Sequence, residues 1–378
     1  MSRRIIKRLA SGVDAVVLCS AATVLLMSVA AACGRAESIG AYAVGADISF
    51  LAQAEAQGRV FMDGETPLPG LRVLKNHGYN WVRLRLFHTP NELPNDLTYT
   101  LAQAKAAKKL GFRFLLNLHY SDTWADPEKQ FLPKAWEGMT HEELVAAVRD
   151  YTHEVVAACC EAGARPDMVQ VGNEVISGML WPDGKLPARW PEFAELLKAG
   201  AEGIKSGVGS GPRPLVMIHI DRGGDLEGSR YFFDKCLENN VTFDVIGQSY
   251  YPWWHGSLVD LQRNLAFLAE RYDRDVMLVE VAYNWRPAEY PDGGAPFPET
   301  PEGQRLFLEE VHRAVMATPK GRGAGVFWWE PAVHRGGLAS RGMFDDQGRS
   351  LPVLTVFDRF TRGRLPPRPA RGDKAMVR

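Results

Sequence analysis

The chain has 378 residues, 46% of them hydrophobic and 24% charged, a mix that excludes a disordered or collagenous chain and suits one large domain or two ordinary ones. Lys plus Arg number 44 against 45 Asp plus Glu, so there is no overall positive field to hold a polyanion and no nucleic-acid partner is expected. Ten Trp, 11 Tyr and 17 Phe can serve a core or a surface on which flat ligands such as sugar rings stack.

In chain order, Arg3, Arg4, Lys7 and Arg8 precede an apolar run from Val13 to Ala32 that ends in small residues and Cys33. That is the layout of an export signal over residues 1–32, with a permanent membrane anchor as the competing reading. Two processings stay open: plain cleavage after Ala32, or cleavage with lipid attached to Cys33. The second resembles a bacterial lipoprotein box, with Ala30 where Leu is usual. The expectation is an exported protein, secreted, periplasmic or lipid-anchored to a bacterial cell envelope. Of the remaining cysteines, Cys159 and Cys160 are adjacent on a helical stretch and Cys236 stands alone, so they read as small buried apolar residues. One bridge to Cys236 is the alternative.

After a short linker over 33–44, apolar or β-branched runs alternate with helical patterns. The predicted strands are Ala46 to Ser49, Trp81 to Phe87, Arg113 to His119, Met168 to Asn173, Leu215 to His219, Val245 to Tyr250, Val276 to Glu280 and Gly325 to Trp329. Helices are predicted over Leu101 to Leu110, Thr140 to Ala162, Glu192 to Lys205, Tyr231 to Asn239, Leu258 to Arg271, Pro301 to Ala317 and Val353 to Phe360, and Thr140 with Glu143 forms a capping-box pattern. Eight βα units in one chain favour a single (β/α)8 TIM barrel over 45–362. An open doubly wound sheet is the alternative, weakened because no Gly-rich dinucleotide fingerprint follows the first strand. Residues 363–378 read as a loose tail.

In such a barrel the active site lies at the carboxyl ends of the strands. Those ends supply Asp47, Arg83, Arg85, His119 with Asp122 and Trp124, Asn173 with Glu174, His219, Asp221, Tyr250, Glu280, and Trp329 with Glu330. Such a ring is poor packing material unless every charge is paired. Glu174 and Glu280 each end an apolar run, on the fourth and seventh strands. Retaining glycoside hydrolysis needs such a pair about 5–5.5 Å apart. Arg83 and Arg85 alternate with Leu84, so both are expected to face inward.

The Asn-Glu of strand four and Glu of strand seven resemble clan A of the glycoside hydrolases. Longer motifs resemble family 53, the arabinogalactan endo-β-1,4-galactanases: GADISFLAQAE from Gly45, HGYNWVRLRLF from His77, LHYSDTWADPEKQ from Leu118, VQVGNEVISGMLWP from Val169, VMIHID from Val216, FDVIGQSYYPWWHG from Phe243, VEVAYNW from Val279 and VFWWEP from Val326. The resemblance implies Glu174 as acid/base and Glu280 as nucleophile. It implies a polysaccharide substrate, β-1,4-galactan, held by the other strand-end residues. By the same token Arg83 or Arg85 would hold Glu280 ionised, Tyr250 would hydrogen-bond it, Asn173 would bind the sugar 2-hydroxyl and Trp329 would floor the cleavage point. Trp124, Trp181, Trp253 and Trp254 are candidate stacking platforms, or else loop aromatics packed on their neighbours.

Three departures from the family pattern stand near the cleft: Asn117 for Asp, Phe87 for Trp, and Arg222-Gly223 where Asn-Gly-Trp is usual. They put subsite affinity in doubt more than the chemistry. The loop from Asn284 to Thr300 holds Glu289, Asp292 and Glu299 without calcium-loop spacing, so no metal and no cofactor are expected. A monomer is expected. The rival functions are another clan A glycanase, cutting mannan, xylan or glucan, and a non-catalytic galactan-binding lipoprotein; a metal-dependent barrel hydrolase would need His-x-His on the first strand, where Asp47 stands alone.

Overall fold

Strand and helix alternate as the sequence pattern requires in the computed structural model, which describes residues 39–288 and 295–360. Eight parallel strands close into a barrel: β1 (Ala43–Asp47), β2 (Trp81–Leu86), β3 (Arg113–Leu118), β4 (Met168–Val171), β5 (Leu215–Ile220), β6 (Val245–Tyr250), β7 (Asp275–Val281) and β8 (Gly323–Trp329). Each pairs with its sequence neighbour, and β1 closes the ring on β8 with Asp47 opposite Trp329. The barrel begins earlier than expected, inside the segment read as linker, and Ile39 is already buried beneath it. The segments read as an export signal, 1–32, and as a loose tail, 363–378, lie outside the described residues. Among the described residues, no helix is long and apolar enough to cross a membrane, and Cys159, Cys160 and Cys236 are free thiols.

Period-two alternation decides what faces the lumen. The lower layer is apolar: Trp81, Leu115, Met168, Met217, Met277, Val279 and Phe327 pack together, all nearly or fully buried. Gly45 belongs to this layer because Phe327 fills its space; a Cβ there would lie 2.2 Å from the ring. One step up β2, β3, β4 and β5 the inward residue turns polar, giving Arg83, Asn117, Gln170 and His219, all buried. Buried polar side chains need partners, and this layer supplies them to one another just below the barrel mouth.

The first βα unit departs from the pattern. Between β1 and β2 lie a short helix, α1 (Leu51–Ala56), a two-stranded hairpin (Phe61–Asp63 with Thr66–Leu68) and a second short helix, α2 (Gly70–Asn76), none of which the sequence reading singled out. The other units carry one long helix each: α3 (Leu97–Lys109), α4 (His141–Glu161), α5 (Trp190–Gly207), α6 (Leu226–Glu238), α7 (Leu258–Tyr272) and α8 (Pro301–Met316), with α9 (Val356–Phe360) last. Their starts follow capping chemistry. Thr140 and Glu143 form the expected capping box, Ser257 and Asp260 form a second, and Asp96 accepts from Tyr99 N–H at the head of α3.

Candidate active site

The strand ends open into a cleft of about 430 Å³ lined by Arg83, Arg85, His119, Trp124, Asn173, Glu174, Asp221, Tyr251, Trp254, Glu280, Trp329 and Arg341, among others. Glu174 arrives there by a sharp turn off β4. Gly172 (φ 77) and Glu174 itself (φ 48) both take the left-handed conformation, and a Cβ on Gly172 would lie 2.5 Å from Val175. For a residue other than glycine that conformation is strained, and such strain gathers at functional sites. Gln130 pins the turn by donating to the Asn173 carbonyl at 2.8 Å.

Glu280 reaches the lumen through an irregularity. Register slips by one between β6 and β7, where Gln248 pairs with Leu278 but Ser249 pairs with Glu280. That bulge lets the consecutive residues Val279 and Glu280 both serve the barrel interior, the first in its apolar floor and the second in its polar mouth.

The two carboxylates have unequal surroundings. Glu280 takes a hydrogen bond from Tyr251 OH at 3.1 Å and an ion pair from Arg83 Nη1 at 2.9 Å. Arg83 also donates to Asp47 at 2.8 Å and to Asn173 Oδ1 at 2.8 Å. Among the described residues no cation pairs directly with Glu174; its Oε1 accepts from Ser249 Oγ at 2.6 Å. Oxygens of Glu174 and Glu280 and a nitrogen of His219 all lie within 4.8 Å of one another. Burial pushes both carboxyl groups above their ordinary value, and Glu174 is pushed furthest because Glu280 and Asp221 add like-charge repulsion. Arg83 and the Tyr251 hydroxyl oppose that push at Glu280. Glu280 is therefore the one to ionise first. The pair titrates as a unit.

Asp221 is a third carboxyl in the cleft, pushed up to about 6 by burial although Arg222 contacts it at 2.6 Å. Arg222, one of the departures from the family pattern, thus spends its charge on Asp221 and on Asp225 at 3.5 Å. Arg85 lies between the rings of Phe50 and Trp124, 4.4 and 4.3 Å from their centroids, and pairs with Glu330. Glu330 is fully buried, so it is an ion-pair partner rather than a group open to substrate. The other two departures sit behind the cleft wall. Phe87 packs edge-on to His119 and Trp124, and the Asn117 amide lies 3.1 Å from His119 Nε2.

Arg83, Arg85, His119, Trp124, Asn173, Glu174, Asp221, Glu280 and Trp329 are brought together as the sequence suggested. Four expected contacts are not cleft residues. Tyr250 faces outward, stacks on Phe307 and donates to the Gly256 carbonyl at 3.1 Å; alternation places Ser249 inward, and the next tyrosine, Tyr251, reaches Glu280. Asp122 ties loops together, accepting from Thr89 N and Lys134 N at 2.9 and 2.8 Å. Asp47 is buried beneath Arg83, and His219 is buried behind Glu174. Of the candidate platforms, Trp254 is 57% exposed and lines the cleft, whereas Trp253 is stacked on Tyr283 and buried. Trp181 lies on the hairpin after β4 with Lys185 over its ring. Tyr251, Ser249, Gln170 and Arg341 escaped sequence reading. For Tyr251 the available signal was the period of β6 itself.

A pair of carboxylates of unequal environment in a cleft lined by tryptophan is an arrangement that glycoside hydrolysis requires. The chain belongs to glycosyl hydrolase family 53, whose model matches residues 43–357. It is 41% identical over 345 residues to an uncharacterized protein of Niallia circulans, a match spanning 84% of this chain and 93% of that protein. Over 311 residues it is 36% identical to a probable arabinogalactan endo-β-1,4-galactanase A of Aspergillus terreus, spanning 78% and 87%. A solved fungal β-1,4-galactanase superposes with a TM-score of 0.78 at 30% identity, covering 83% of this chain and 98% of that one.

Proposed function

We propose that this chain is a retaining endo-β-1,4-galactanase acting on pectic galactan and type I arabinogalactan by double displacement, with Glu280 as nucleophile and Glu174 as acid/base. The observation that carries the mechanism is the carboxylate pair, with oxygens within 4.8 Å. That separation suits a nucleophile and acid acting on one anomeric carbon, whereas inverting enzymes keep about 6.5–9.5 Å for a water. The substrate class rests on the likeness to the Aspergillus terreus and fungal galactanases.

The unequal surroundings assign the roles. Glu280, held by Arg83 and Tyr251, attacks C1 as the anion. Glu174, pushed up further than Glu280 by burial and by the charge of Glu280, holds its proton longer and delivers it to the glycosidic oxygen as the C1–O bond breaks. Having given up its proton Glu174 is a carboxylate; with the charge of Glu280 consumed in the ester the repulsion on it falls, so it stays ionised and takes a proton from the attacking water. The C1–O bond to Glu280 then breaks with the configuration restored. Asn173 uses one amide N–H on the Ala125 carbonyl at 2.9 Å, leaving the other for the sugar 2-hydroxyl. Trp329 floors the cut, and Trp124 and Trp254 stack on sugars to either side. The segment before Cys33 directs export, either with plain cleavage after Ala32 or with lipid on Cys33 as anchor.

Trp124 and Trp254 line the cleft together with Trp329, and a chain stacked on all three carries sugars on both sides of the cut, which is endo action. β-1,4-galactan bends at its axial 4-hydroxyl linkage, so stacking surfaces fitted to its path hold flatter chains poorly. Loss of two stacks at about 1 kcal/mol each, with polar groups left unpaired, lowers binding of those chains by several kcal/mol. Purified protein is expected to release short β-1,4-galacto-oligosaccharides from debranched pectic galactan, with cellulose, xylan and mannan near background. Faster cleavage of any of those three overturns the substrate class, and galactose as the sole early product overturns endo action.

A further inference from the structure

Behind Glu174 a ring of hydrogen bonds begins and ends on that residue. Its direction is set by the backbone N–H of Glu174, which can only donate. Arg83 Nε and Nη2 each lie 3.3 Å from Gln170 Oε1, which fixes the amide; the two hydrogens of Gln170 Nε2 then meet Asn117 Oδ1 at 2.7 Å and the Gly172 carbonyl at 2.9 Å, with His219 Nδ1 farther off at 3.1 Å. The backbone N–H of Glu174 points at the same nitrogen from 3.4 Å. Asn173 Oδ1 is 3.3 Å from His219 Nδ1, but it already accepts from Arg83 at 2.8 Å and from Asn117 at 3.1 Å. With the Glu174 N–H facing it, Nδ1 keeps its lone pair. Burial first, then the charge of Arg83, hold the imidazole well below its usual range, so it is neutral and carries its single proton on Nε2. Nε2 donates to Ser249 Oγ at 2.8 Å, and the hydroxyl passes its own hydrogen to Glu174 Oε1 at 2.6 Å.

We propose that Ser249 and His219 are positioning residues that keep Glu174 Oε1 an acceptor, so that Oε2 alone gives the proton to the leaving oxygen and takes it back from water. This rests on the reading of Glu174 as acid/base. Arg83 also acts on both carboxylates, on Glu280 by direct contact and on Glu174 through its field. A hydroxyl fixed as donor favours the carboxylate over the acid. It therefore offsets part of the upward push that Glu174 receives from burial, from Glu280 on β7 and from Asp221 beyond β5, in the same direction as the field of Arg83 on β2. That balance lets one group serve as acid in the first step and as base in the second.

The test is the pH dependence of kcat/KM on galactan for the wild type, Ser249→Ala, His219→Ala, the double variant and Ser249→Thr. Ser249→Ala is expected to move the alkaline limb upward by about one pH unit, the scale of one hydrogen bond to a charged group. His219→Ala is expected to move it in the same direction by less. The double variant should match Ser249→Ala, because His219 acts through the serine. Ser249→Thr, which keeps the hydroxyl, should restore the limb. A limb position is a ratio of rates within one variant, so a lower folded fraction changes the height of the profile and not its limb. An unmoved limb in Ser249→Ala, equal shifts in Ser249→Thr and Ser249→Ala, or additive shifts in the double variant would overturn the proposal. Glu174→Ala, assayed on an activated aryl galactoside, separates the two ideas. If its alkaline limb persists, the acid/base reading itself fails; if the limb vanishes there but stays put in Ser249→Ala, only the positioning role fails.

Discussion

Glu280→Ala is expected to lower galactan turnover on the order of 10^5-fold, the scale on which removing a nucleophile disables groups that act as a unit. The loss has a diagnostic repair. Alanine leaves room beside Arg83 and Tyr251, which bind Glu280 at 2.9 and 3.1 Å, and azide is a small anion suited to that space. Attack on C1 from there, opposite the leaving group, gives an α-galactosyl azide. Glu174→Ala should behave differently on a substrate with a good leaving group. Glu280 still forms the glycosyl-enzyme, azide then attacks from the other face, and the product is the β-galactosyl azide. Reversed configurations from the two variants would exchange the assigned roles, and no azide product from either would remove them.

Arg83→Met is expected to be the most damaging change that spares both Glu174 and Glu280. Arg83 is 1% exposed and neutralises two nearly buried carboxylates, Asp47 and Glu280. Breaking a buried ion pair from one side destabilises by about 3–5 kcal/mol, because the remaining charge stays buried without compensation. The sign with pH follows from the same cause. Without its cation Glu280 is pushed further upward by burial, so the folded state holds that proton more tightly than the unfolded chain does. The loss of stability is therefore absent below the unfolded carboxyl value, about 4.3, and grows as pH rises through and beyond it. Urea unfolding at several pH values should show the deficit shrinking toward acid, while the acidic limb of kcat/KM moves upward because the nucleophile ionises later. A deficit independent of pH, with an unmoved acidic limb, would mean that Arg83 only packs.

The barrel was legible because each strand carries a compact apolar run, and the predicted strands overlap the observed ones throughout. Arg83, Arg85 and Glu280 were legible for the same reason: charged residues at the ends of apolar runs have no packing role to explain them. The first βα unit was not. Its helices, Leu51–Ala56 and Gly70–Asn76, have 6 and 7 residues, too few turns to show a helical period. Tyr250 and Tyr251 differ by one position, and only the inward register of Ser249 decides between them. Ser249 and Gln170 are neutral polar residues inside strands, where composition gives no hint that the lumen at that height is a hydrogen-bonded layer. His219 was seen as a strand-end histidine. Its burial behind Glu174 depends on how far the loop after β4 folds back, and that geometry belongs to the turn at Gly172.

Anomeric configuration in the first minutes of hydrolysis tests the central claim most directly, since a Glu280 ester intermediate requires two inversions at C1. Proton NMR of galactan digests at early times, before mutarotation, should show the β-anomer of the new reducing ends appearing first and the α-anomer only later. Early α-anomer would mean a single displacement by water, and the pairing of Glu174 as acid/base with Glu280 as nucleophile would be contradicted.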